Sequence, residues 1–166
     1  MNSRKYRQIL TGLLCLIIVV VLAIAPTNPA LAEDYSSRDI KSIDLSGQDL
    51  RDSQFTRADM REANLSYTNL QQVSLFSAKL MNANLECADL TYAVIDLARL
   101  DNANLTNAIL EGVLAFSARF DGAIIDGADF TDVLLKPNIQ EKLCQVAKGT
   151  NPVTGRDTRE TLFCDY

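Results

Sequence analysis

From Leu45 to Leu135 every fifth residue is apolar: Leu45, Leu50, Phe55, Met60, Leu65, Leu70, Leu75, Leu80, Leu85, Leu90, Ile95, Leu100, Leu105, Leu110, Ala115, Phe120, Ile125, Phe130 and Leu135. The count runs through nineteen repeats without an insertion. Neither a helix with a period of 3.6 residues nor a strand with a period of 2 keeps a fifth-residue set on one side. Two positions before each of these centres the residue is small in most repeats, as at Ala58, Ala63, Ala78, Ala83, Ala88 and Ala93. Between the small residue and the centre stands, in many repeats, an Asp or Asn.

The two ends of the chain lack this period. Arg4, Lys5 and Arg7 precede an apolar run from Ile9 to Ala25, and Ala30-Leu31-Ala32 has the small-x-small form of a signal-peptidase site. Residues 1–32 are therefore read as a signal peptide cleaved before Glu33, which leaves no stable membrane anchor after processing. The remaining 134 residues suffice for one domain. They keep all 21 acids and 13 of the 16 bases, a net charge of −8. An acidic exported chain is a poor nucleic-acid binder, because phosphate contact needs clustered Lys and Arg. There is no His and no Trp, which removes the commonest general base and a common metal ligand. With no nucleophile beside a base, no phosphate-binding Gly loop and no metal cluster, neither catalysis nor a cofactor is expected.

Literal repeats such as ANLSY, ANLEC, ADLTY, ANLTN and ADFTD resemble the A(D/N)LXX signature of the pentapeptide-repeat family. The likeness covers residues 43–137 and implies an all-β fold, a right-handed four-sided β-helix. The chemistry of the repeat agrees with it. Each short side sends one small and one large apolar side chain inward and the rest outward, and four repeats close a coil. Residues twenty apart then stack at the strand spacing of about 4.8 Å, giving a rod about 23 Å long.

Raw solenoid ends need covers. Residues 33–42 are read as an N-terminal cap, beside a first coil whose inward Gln48 and Ser53 stand near water. Residues 138–166 are read as a short α-helical C-terminal cap. Pro137 stops the last repeat, and Asn138 with Glu141 has the form of a capping box. Ile139, Leu143, Val146 and Ala147 make an apolar helix face that ends at Gly149, and Asp157 with Glu160 caps a second short helix. Cys144 and Cys164 lie together in this tail and are the pair expected to form a disulfide, for which an exported setting is suitable. Cys87, alone within the repeats and two positions after a centre, is expected to be an outward-facing free thiol. The tail from Leu143 to Cys164 also looks like that of exported cyanobacterial and chloroplast thylakoid lumen members of the family, which implies the thylakoid lumen or the periplasm. Those relatives have no settled biochemical activity.

Stacking by twenty sorts the outward residues into four faces. The first carries Asp44, Asn64, Asn84, Asn104 and Ile124, read as a structural ladder. The second carries Asp49, Asn69, Asp89, Ile109 and Asp129, with Glu111 and Asp132 nearby. Its carboxylates suggest a mimic of DNA phosphates or a Ca²⁺ site, but Ile109 breaks the row and a solvated surface is the simpler reading. The fourth alternates Lys79, Arg99 and Arg119 with Asp101 and Asp121, a surface ion-pair ladder.

The third face presents Phe76, Val94, Leu97, Leu114, Phe116 and Leu134. A contiguous apolar stripe marks an interaction surface unless a terminal segment folds over it. The sequence thus reads as a non-catalytic scaffold that meets a protein partner or a second copy through this face. The alternatives are a DNA-mimicking inhibitor and a lumen protein regulated through its cysteines.

Overall fold

A computed structural model describes residues 33–164. The signal peptide expected at residues 1–32, with its cleavage point, lies outside the described residues. The repeats form a continuous four-sided coil in which parallel bridges link residues twenty apart, for example Asn64 to Asn84 to Asn104 and Ser74 to Val94 to Leu114 to Leu134. The centres and the small residues two positions earlier point inward. From Phe55 to Leu110 every centre is buried, and Ala58, Ala63, Ala78, Ala83, Ala88, Ala93, Ala98, Ala103 and Ala108 fill the gaps between them. Fully burying one such Leu contributes about 1.5–3 kcal/mol.

Corners come from a turn repeated once per side. The centre carbonyl accepts from the N–H three residues on, as in Ala88 N–H to Leu85 C=O at 3.0 Å. The third residue of the turn has φ near +60°, as at Asn102 (58°) and Gly112 (65°), which is type II geometry. Left-handed backbone costs a residue other than Gly about 1–2 kcal/mol. It is held here because the same residue's N–H donates to the next coil, as Asn102 does to Asp121 C=O at 2.9 Å.

The five-residue register runs back beyond Leu45 to Ile40 and Tyr35. Asp34 bridges Gln54, Asp39 bridges Asp59, and the Tyr35 ring stacks on Phe55 with centroids 4.9 Å apart. Residues 33–42, expected as a cap, continue the coil itself. The pattern was hidden because Glu33 and Arg38 stand at the small position, where the open end leaves both exposed. Gln48, expected to point inward, is exposed for the same reason, whereas Ser53 is buried.

Asp34, Asp39, Asp44 and Asp49 ring the open edge of the first coil. Each carboxylate accepts the N–H two residues on, from Ser36, Lys41, Ser46 and Arg51. The Ser36, Lys41 and Arg51 side chains at Asp34, Asp39 and Asp49, and the Ser46 N–H at Asp44, lead in holding the four carboxyls below the ordinary carboxylate value, and the remaining turn N–H groups add to it. A ring of charge at an unpaired sheet edge discourages further strands from adding there.

At the other end the chain leaves the coil as α1 (Pro137–Cys144) and returns as α2 (Thr158–Thr161). Pro137 does more than end the last repeat. It occupies the first turn of α1, where a missing N–H costs nothing. The N-cap is Lys136, without a side-chain bond, so Asn138 and Glu141 lie inside the helix and the expected capping box does not form. Leu143 and Ala147 are buried, but Val146 is exposed because α1 stops at Cys144 and the helical period no longer aims it inward. Asp157 caps α2 as expected, accepting from the N–H groups of Arg159 and Glu160. The Cys144–Cys164 disulfide ties the two helices together, with Cα atoms 5.3 Å apart.

Candidate functional site

The coil sets each outward side chain in a column, and three of the four faces use their columns to satisfy one another. On the first face, Asn64 Nδ2 donates to Asp44 Oδ1 at 3.1 Å, and Asn104 Nδ2 donates to Asn84 Oδ1 at 3.0 Å. The same Asn oxygens accept turn N–H groups from Ser66, Glu86 and Thr106. The second face is equally occupied. Asp89 accepts from Thr91 and from Gln71 Nε2, while Asp129 accepts from Thr131 and from Arg156, which also binds Glu111 at 2.6 Å. Among the described residues no group of Cys, Asp and Glu is placed to hold a metal ion.

The fourth face is a staggered ion-pair column. Arg99 meets Asp101 at 3.1 Å, Arg119 bridges Asp101 at 3.0 Å and Asp121 at 3.3 Å, and Lys142 of α1 reaches Asp121 at 3.2 Å. Near its base, Arg61 grips Asp59 through two nitrogens, each at 2.8 Å. These bonds, with help from Lys79, bring the Asp59 carboxyl down to about 2.

The third face is not satisfied in this way. Val94, Leu114 and Leu134 stack in register, and Leu97 and Phe116 flank them. Leu97 is 50% exposed, Leu114 47%, Phe116 47% and Leu134 53%, while Phe76 and Val94 are half-buried. Neither the cap helices nor residues 33–42 fold over the stripe. Its margin includes Tyr92, which sequence reading passed over. Tyr92 lies across Gly112 in the next coil, where an added Cβ would strike the ring, and this pairing is the signal that marks it. On the opposite margin, Lys136 stands 4.9 Å above the Phe116 ring and donates to Ser117 Oγ. Here the turn also departs from its neighbours: Ser117 N–H donates back to the Asp96 carboxylate of the coil below at 2.6 Å rather than to a carbonyl of the next layer.

Cys87 does not present an exposed thiol. It is buried in a corner column between Tyr67 and Asn107, and no cysteine among the described residues is free. Its place two positions after a centre suggested an outward free thiol; Cys87 is instead disulfide-bonded.

Every described side is a turn of one four-sided β-helical solenoid, closed at one end by a disulfide-bonded helical cap. The family model for pentapeptide repeats matches residues 40–75, 75–114 and 98–136, in eight copies. The chain belongs to the pentapeptide repeat family. It is similar to a crystallised pentapeptide repeat protein from the Arabidopsis thaliana thylakoid lumen, at 39% identity and a TM-score of 0.72, over 80% of this chain and 92% of that one. It also resembles Rfr23 from the cyanobacterium Cyanothece 51142, at 33% identity and a TM-score of 0.51, over 59% of this chain and 64% of that one. Among curated proteins, it is 52% identical over 46 residues to the chloroplast thylakoid lumenal 15 kDa protein 1 of Arabidopsis thaliana. That match spans 28% of this chain and 20% of the relative. Among the described residues no helix is long and apolar enough to cross a membrane.

Proposed function

We propose that the protein is an exported, non-catalytic scaffold of the thylakoid lumen or periplasm that meets a protein partner, or a second copy of itself, through the third face. The observation that carries this reading is the column of Leu114 and Leu134 with Phe116 and Leu97 beside it, each about half exposed and grouped together, where the other faces carry mainly polar columns interrupted by single residues such as Ile124. Uncovered contiguous apolar surface favours association, because burying it removes structured water from both partners. The lumenal setting is supported by the similarity to thylakoid lumen proteins and by the disulfide of the cap, a bond that persists in oxidising compartments.

Leu114→Asp and Phe116→Asp test the reading without touching the core. Affinity capture from a lumen or periplasm extract, with light scattering of the purified protein, should lose a partner or a dimer in both variants. An unchanged capture profile together with an unchanged solution mass would reject this face as the interaction surface.

A further inference from the structure

The fourth face ends differently from the rest of the coil. Inside the coil its edge groups pair with the layer above: Leu100 N–H donates to Arg119 C=O at 2.8 Å, Asn102 N–H to Asp121 C=O at 2.9 Å, and Arg119 N–H to Ala98 C=O at 3.0 Å. One layer higher, the corresponding groups are Phe120 N–H, Gly122 N–H and Ala118 C=O. None of the three has a hydrogen-bond partner among the described residues. The physical cause is the exit of the chain. The strand that would lie over them is residues 138–142, and Pro137 has turned that stretch into α1, which no longer presents an extended edge to them. On the first and second faces the cap reaches the last layer, with Gly127 N–H donating to Lys148 C=O at 2.8 Å and Phe130 N–H to Thr161 Oγ1 at 3.1 Å.

Between this unpaired edge and α1 lies a cleft of about 520 Å³, within the range of about 300–1,000 Å³ usual for ligand sites. Phe120, Ile139 and Leu143 give it an apolar wall, and Arg119, Lys136 and Lys142 line its rim. Arg119 and Lys142 share Asp101 and Asp121, whereas Lys136 has no carboxylate within ion-pair distance among the described residues. The cleft therefore holds one cation in excess on a chain of net charge −5. At the other end of the rod the edge is ringed by Asp34, Asp39, Asp44 and Asp49 and has no wall among the described residues.

We propose that this cleft is a strand-docking site that takes an extended, acidic segment of a partner protein as the missing strand of the coil. In parallel register the segment would accept from Phe120 N–H and Gly122 N–H and donate to Ala118 C=O, the bonds that every lower layer of this face makes. The register also specifies side chains. The residue beside Arg119 faces outward and is acidic, within reach of Lys136, whereas Ala118 and Phe120 are already buried, so the inward residues beside them are small. This site shares Lys136 and Ser117 with the margin of the third face, and its edge amides test it independently of that face.

The test uses the peptide acetyl-Thr-Ala-Asp-Ala-Thr-amide and ¹⁵N-labelled protein. Without peptide, the Phe120 and Gly122 amides should exchange readily with solvent; with peptide they should shift and exchange about tenfold more slowly. N-methylation of the peptide's Asp nitrogen, which leaves the protein untouched, should weaken binding about tenfold by removing the donor to Ala118. Lys136→Glu should weaken binding of the Asp peptide and relatively favour a Lys-substituted one. The proposal is overturned if the two amides are already protected in the free protein or remain unaffected at millimolar peptide. Equal binding of the Lys-substituted and N-methylated peptides, or equal competition by acetate, would overturn it as well.

Discussion

Leu85 in the coil and Asn151 in the cap are both fully buried, yet they hold the molecule in different ways. Leu85 repeats what Leu65 and Leu105 do one layer below and above. Asn151 has no counterpart. Its Nδ2 donates to Gly127 C=O at 2.9 Å and also faces the carbonyls of Asn107 and Ala108, while its Oδ1 accepts from the N–H groups of Val153 and Thr154. The coil spreads its stability over many equivalent layers, as expected when each repeat contacts only its neighbours. The cap concentrates it in a few single residues that stitch one end.

The largest effect should come from the coil: Leu85→Ala is expected to cost about 4 kcal/mol in urea unfolding, because tightly stacked layers cannot collapse into the cavity. Asn151→Ala should come next, at about 3 kcal/mol, since it leaves buried carbonyl and N–H groups without partners. It should also open amide exchange at Gly127 while leaving Asn64 and Asn84 protected. A loss below about 0.5 kcal/mol would erase the proposed contrast between coil and cap. Replacing Cys144 and Cys164 together by Ser should cost about 2–3 kcal/mol on the loop-entropy argument, read in the same unfolding assay. If the coil's own exchange rates change as much as the cap's, the two regions unfold as one unit.

Acid should separate the ends by a different route. Asp59 has its folded value lowered from 3.8 to about 2, so its ion pairs contribute fully above pH 3.8 and their contribution is lost as the pH falls through about 2. The carboxyls of Asp34, Asp39, Asp44 and Asp49 are shifted in the same direction. The melting temperature should therefore fall between pH 4 and pH 2, with Asp59→Asn flattening part of the fall. Amide exchange should open in the first coil before it opens around Asn151. The smallest effect is reserved for the third face, where Phe116→Asp should change stability by less than about 0.5 kcal/mol. A larger loss would mean that this side chain supports the coil rather than standing ready for a partner.

The fold was legible because the repeat constrains each residue through identical neighbours twenty positions away. Once Leu65, Leu85 and Leu105 share a column, so must Asn64, Asn84 and Asn104, and the four faces follow by counting. The third-face residues were legible for the same reason. Residues 33–42 escaped because the first layer packs on one side only, so Glu33 and Arg38 could replace small residues. Cys87 was misjudged because the period says which corner a residue occupies and not whether its sulfur is bonded. Asn138 was misjudged because Pro137 favours the first helical turn more strongly than a capping-box pattern can place the cap one residue later.

By itself the sequence determined the coil, its twenty-residue stacking, the disulfide partners and the apolar column through Leu114 and Leu134, since each depends on a period or on residue types near in the chain. Tertiary structure alone decided that no described segment covers the third face and that Asn151 ties the cap to three carbonyls of the coil. It alone left Ala118, Phe120 and Gly122 without a strand above them. These depend on where a nonrepeating tail comes to rest, and no local pattern encodes the path of a chain once its period has ended.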